Sequence, residues 1–144
     1  MKSNQSVNEL RQLIKQDLGS NPAIEAACLK IVDYLERRSF QEVCHLTYYS
    51  FLTLLGSGFS GEVLIDTLRY LTGNRANVLK THFELIDEMD NAYVLDPPLV
   101  LQLQKNGTLY HPVTGELVSD PDNKVHLFFS PSDDFKELQA NNAA

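Results

Sequence analysis

Apolar residues recur at helical spacing through the first half of the chain and change to a two-residue alternation near Lys80. The first helix is marked by Ser6-Val7-Asn8-Glu9, which has the S-x-x-E form of a capping box. Leu10, Leu13, Ile14 and Leu18 follow as one stripe, and Gly19 supplies a stop. A single stripe on a short helix is marginal alone, so this helix must pack on its own domain or on a partner. Asn21-Pro22 opens a second helix, with Ile24, Ala27, Cys28, Ile31 and Leu35 on one face. Its end, Glu36-Arg37-Arg38, places cations where the helix dipole favours them. Ser39-Phe40-Gln41-Glu42 is another capping box, and it starts a segment from Val43 to Leu55 that reads as one helix or as two broken near Thr47. A turn cluster, Gly56-Ser57-Gly58-Phe59-Ser60-Gly61, precedes a helix from Glu62 to Leu71 that ends at Gly73.

The alternation then predicts strands at Thr81–Asp87 and Ala92–Asp96, joined by Glu88-Met89-Asp90-Asn91 as a four-residue hairpin loop. Asp96-Pro97-Pro98 is compatible with a helix through Leu99 to Lys105, or with a strand turning at Asn106-Gly107; the pattern leans to the helix. Leu109–Pro112 and Val125–Phe129 read as extended, with turns at Val113–Glu116 and Asp120–Asn123. From Ser130 the chain is polar, and the last residues, 136–144, are expected to fray.

The predicted fold class is therefore α+β, with N-terminal helices, then a core, then β-hairpins. Helix, helix, glycine-bearing turn, helix and hairpin, in that order from residue 22, resemble the winged-helix superfamily. The segment Phe51-Leu52-Thr53-Leu54-Leu55-Gly56 to Leu71 followed by Phe83 to Leu95 carries the resemblance. It divides the chain into an amphipathic docking helix (1–20), a winged-helix-like core (21–96), an acidic extension of the same domain (97–135) and a tail (136–144). The resemblance implies that helix 62–71 would enter a major groove. Arg69, Arg75 and Lys80 would then touch phosphate or guanine, beside Glu62 and Asp66. It also implies a second use, because winged helices serve as interaction modules. In that use Leu10, Leu13 and Ile14 are the residues expected to meet a protein partner or a second copy.

Charge separates the two uses. Residues 1–82 hold nine Lys/Arg against eight Asp/Glu, while residues 83–144 hold three against eleven. The expected wing carries Glu84, Asp87, Glu88, Asp90 and Asp96 and no cation, whereas phosphate binding rests on Lys and Arg. An acidic half would instead face a basic partner and steer its approach. Composition adds little else: 144 residues with 43% apolar and 22% charged residues suit one globular domain. No apolar run is long enough to span a membrane, and the polar start Met1–Leu10 lacks a signal-peptide core. The expected compartment is the cytoplasm. Two cysteines, Cys28 and Cys44, read as small buried hydrophobes. His45, His82, His111 and His126 do not form a zinc set with them. The glycine cluster at 56–61 lacks the Gly-Lys-Ser/Thr ending of a phosphate loop, and Asp90-Asn91 lacks the ligand order of a calcium loop. No cofactor and no catalytic site are expected. The leading expectation is a non-catalytic adaptor or accessory subunit, with a sequence-specific DNA-binding regulator as the alternative.

Overall fold

The computed structural model describes residues 6–143 and contains helices and a three-stranded antiparallel sheet. The elements are α1 (Val7–Leu18), α2 (Pro22–Glu36), α3 (Phe40–Val43), α4 (Tyr48–Leu55), α5 (Gly61–Thr72), β1 (Leu79–Ile86), β2 (Ala92–Val94), α6 (Pro97–Asn106), β3 (Val125–Pro131) and α7 (Asp133–Ala143). Sheet order is β2-β1-β3, with Glu84, Leu85 and Ile86 opposite Val94, Tyr93 and Ala92. The chain divides into two compact units, Met1–Thr81 with Phe129–Ala144, and His82–Phe128. The first division falls where the apolar period changes.

The first unit is built around α2, whose Ala27, Cys28, Ile31, Val32 and Leu35 are all buried. Helices α1, α4 and α5 pack against it. Val43 to Leu55 resolves into α3 and α4 because Thr47 starts a new helix. Its hydroxyl accepts from the Ser50 amide at 3.2 Å while the Ser50 hydroxyl accepts from the Thr47 amide at 3.0 Å. Leu46 forms a single antiparallel bridge with Phe129, and the Phe51 and Phe129 rings meet edge to face at 5.7 Å.

Both ends of this unit are tied into its core. Residues 136–144 were expected to fray, yet α7 is a helix through Ala143 with Phe135 and Leu138 buried in the core. Ser132 starts it, accepting from the Phe135 amide at 3.0 Å while donating to the Asn77 carbonyl at 2.6 Å. Gln139 donates to the Leu35 carbonyl at 3.0 Å, a second bond to a group at the end of α2 that also accepts from the Arg38 amide at 3.3 Å. The apolar stripe of α1 had two possible destinations, the chain's own domain or a partner. Leu10 and Ile14 are buried in the chain's own core, and Leu13 is half-buried. Arg11 fastens the helix to α2 through Asp33 at 2.7 Å and through Glu36.

The second unit has a small core of Leu85, Leu95 and Leu109, with Phe83, Tyr93, Leu99, Val100, Leu103, Val118 and Val125 packed around it. The Pro97–Asn106 segment is helical, as the pattern leaned. Gly107 ends it at φ +71, a conformation in which a side chain would be strained. Beyond it, Tyr110 and Leu117 form an isolated antiparallel bridge rather than a full hairpin. The His82 and Phe128 rings stack at 4.7 Å.

Candidate interaction surface

Helices α4 and α5 turn different sides inward, and what remains outside defines a surface. On α4, Phe51 and Leu55 are buried, which leaves Tyr48, Tyr49 and Leu52 facing out. Tyr49 is 76% exposed. Lys30 steadies the connecting turn by donating to the Leu55 carbonyl at 3.3 Å and lying 5.9 Å over the Phe59 ring. Ser60 begins α5, its hydroxyl accepting from the Val63 amide at 3.2 Å. Leu64, Thr67, Leu68 and Leu71 then point inward, and the buried Thr67 hydroxyl donates to the Val63 carbonyl at 2.6 Å. Glu62, Ile65, Asp66 and Arg69 face out, with Ile65 49% exposed.

The two helices approach closely at one point. A Cβ on Gly61 would sit 3.2 Å from the Tyr48 hydroxyl, so glycine lets the ring lie against the start of α5. Tyr48 and Leu52 share one face of α4, and Gly61 and Ile65 share one face of α5. The outward sides of the two helices therefore carry Tyr48, Tyr49 and Leu52 on α4 and Ile65 on α5, with Glu62, Asp66 and Arg69 exposed on α5 as well. Isolated exposed hydrophobes are ordinary, but neighbouring ones mark interaction sites. From Ser39 to Leu68 there is no Lys or Arg at all.

The residues expected to touch nucleic acid have separate surroundings. Arg69 pairs with Asp66 at 3.3 Å on the same helix. Arg75 donates to Asp17 at 2.7 Å, and the Tyr70 hydroxyl donates to the same oxygen at 2.7 Å. Arg75 first, and Tyr70 second, hold the Asp17 carboxyl below the usual range, while burial and Asp17 push the Tyr70 hydroxyl up. Lys80 lies exposed on β1 and lines a cleft of about 450 Å³ together with Asn77, Asp133 and Asp134. Among the described residues, no hydrogen-bond or ion-pair partner is shared by Arg69, Arg75 and Lys80.

A polar centre in the second unit was not foreseen. The Nδ1 atom of His111 accepts from the amides of Val113 at 3.1 Å and Thr114 at 3.2 Å. Its proton must then sit on Nε2, which faces Asp87 at 3.4 Å. The other Asp87 oxygen accepts from the amides of Met89 and Asn91, both at 3.0 Å. The Asn91 and Met89 amides, with His111, hold the Asp87 carboxyl below its ordinary value. Tyr93 packs edge-on to the imidazole at 4.6 Å. Both ring nitrogens and both carboxylate oxygens are thus engaged, which fits a clasp between the 87–91 turn and the 111–114 turn. Sequence offered little signal for it: Asp87 and His111 lie 24 residues apart, and backbone amides supply most of the bonds. A cavity of about 300 Å³ opens beside the clasp, lined in part by Glu88, Met89, Glu116, Leu117 and Lys124.

Among the described residues, no group of three or more His, Cys, Asp or Glu side chains gathers where a metal could be held, and no helix is long and apolar enough to cross a membrane. Cys28 is buried and its thiol is pushed up to about 12 by desolvation; Cys44 is a second free thiol. No protein family, curated protein or solved structure matches this chain.

Proposed function

We propose that this chain is a non-catalytic, winged-helix-like interaction module, an adaptor or accessory subunit whose α4–α5 face takes a protein partner. The observation that carries the reading is the chemistry of that face. In a helix-turn-helix, this is the surface that would dock. Here it presents Tyr48, Tyr49, Leu52 and Ile65, and its nearest ionised groups are two carboxylates and one guanidinium. Tyrosine and other large apolar residues are favoured in protein interfaces. A phosphate backbone would instead demand several cations.

The winged-helix part of the proposal rests on order. Helices α4 and α5 are joined by a glycine-bearing turn, and β1 follows, paired antiparallel. The competing reading is a DNA-binding regulator that uses α5 with Arg69, Arg75 and Lys80, and it has one point in its favour. Lys80 is exposed and has no hydrogen-bond or ion-pair partner among the described residues.

Titration with mixed-sequence duplex DNA at low salt separates the readings. The interaction module leaves the duplex unretarded. A retarded band that weakens steeply with salt and disappears in the Arg69→Ala/Arg75→Ala variant would establish the regulator instead.

A further inference from the structure

The stripe along the outer side of α5 narrows the choice of partner. Glu62 stands at its start, Ile65 and Asp66 in the middle and Arg69 near its end. Seven residues span about 10.5 Å along a helix axis. A stripe with an acid at one end, Ile65 beside Asp66 at the centre and a base at the other end pairs opposite charges at both ends when laid on its own reverse. Two copies of α5 laid antiparallel, with a two-fold axis passing by Ile65 and Asp66, bring Glu62 of each opposite Arg69 of the other. Closed two-fold interfaces need such self-complementarity. Antiparallel helices also oppose their dipoles favourably. Tyr48, Tyr49 and Leu52 on α4 extend the apolar centre of the same face.

Resting on the proposed docking role of α4–α5, we propose that the occupant of this face is a second copy of the chain, joined through an antiparallel α5 pair. The existing Arg69–Asp66 contact does not prevent this exchange. It is an exposed pair at 3.3 Å, with side chains 76% and 49% exposed, and such pairs hold weakly. Arg69 moves from one carboxylate of its own helix to Glu62 of the second copy, and Ile65 leaves water at the axis.

Sedimentation and light scattering on the full chain test the proposal. The wild type is a dimer. Glu62→Arg places two like cations at each end of the interface, and Arg69→Glu places two like anions there. Each weakens the dimer on the order of tenfold or more while circular dichroism stays native. An equimolar mixture of the two variants restores a one-to-one dimer. In it the introduced arginine meets the introduced glutamate, and the native Arg69 meets the native Glu62. Ile65→Asp gives a folded monomer.

A wild type that stays monomeric at every concentration reached would overturn the second copy as partner. So would a dimer indifferent to the two charge reversals and to Ile65→Asp, or variants that fail to pair on mixing. These failures differ from failure of the docking role itself. A photoreactive group at Tyr49 that captures another protein on a monomeric chain removes only the second copy. Binding of duplex DNA removes both.

Discussion

The two units hold themselves together by different means. Among the described residues, twenty-one buried apolar side chains form one cluster in the first unit, whereas three form the core of the second. The first unit holds ten Lys/Arg and eleven Asp/Glu, close to balance; the second holds two and eight. Burial of apolar surface is non-directional and largely indifferent to pH. A small core must lean on directional bonds, and the Asp87–His111 clasp supplies four to backbone amides and one between the side chains. The difference teaches where to look for function. Both units keep large apolar residues outside, but only in the first do Tyr48, Tyr49, Leu52 and Ile65 stand on two helices that meet, at Tyr48 and Gly61. The second unit exposes Met89, Val113 and Leu117 beside its acidic charge and has little apolar burial to lose.

The comparison breaks most visibly at the two cores. Phe51→Ala removes a fully buried ring that meets Phe129. It should cost about 3–5 kcal/mol and lower the denaturant midpoint of the helical unit. Leu85→Ala should cost about 2–4 kcal/mol, but its faster hydrogen exchange should be confined to residues 82–128. If both variants loosen the whole chain equally, the division into units has no energetic meaning.

A smaller effect is expected at the clasp. His111→Ala leaves the Val113 and Thr114 amides to water and Asp87 without its side-chain partner. It should cost about 1–2 kcal/mol, read as faster exchange at residues 87–91 and 109–118 with α2 unchanged. Acid should act on the same place. The Asp87 carboxyl lies lower in the folded chain than in the unfolded one. The stability it contributes is therefore fully present above the unfolded value of about 3.9 and is lost as pH falls through the lower folded value. Exchange at the Met89 and Asn91 amides, corrected for the intrinsic rate, should rise over that window, and Asp87→Asn should flatten the rise. The smallest effect concerns the thiols. Cys28, buried and pushed up to about 12, should resist a thiol reagent at pH 8 until the helical unit unfolds. Reaction of Cys28 in the native chain would show that α2 opens locally.

Much of this architecture was legible in the pattern of residues. The cap at Ser39, the break near Thr47 and the glycine-bearing turn at 56–61 are local, worked out between close neighbours. The change of period near Lys80 marked the boundary of the units because helical and strand burial impose different repeats. What escaped depended on long-range packing. The C-terminal helix has only Phe135 and Leu138 as buried anchors, so its composition reads as polar until the core that receives them is known. The stripe of α1 was legible as apolar, but its destination was not, since a core and a partner make the same demand on Leu10 and Ile14. The candidate face on α4 and α5 was hidden for the same reason. Tyr49 and Ile65 look like core residues until the helix phase shows them outside.

Photocrosslinking in living cells, from a photoreactive residue in place of Tyr49 and separately in place of Val113, tests the central claim most directly. The account predicts protein adducts from position 49, with the mass of a second copy of the chain, and none from position 113 in the second unit. Nucleic-acid adducts from position 49, or protein adducts from position 113 alone, would contradict it.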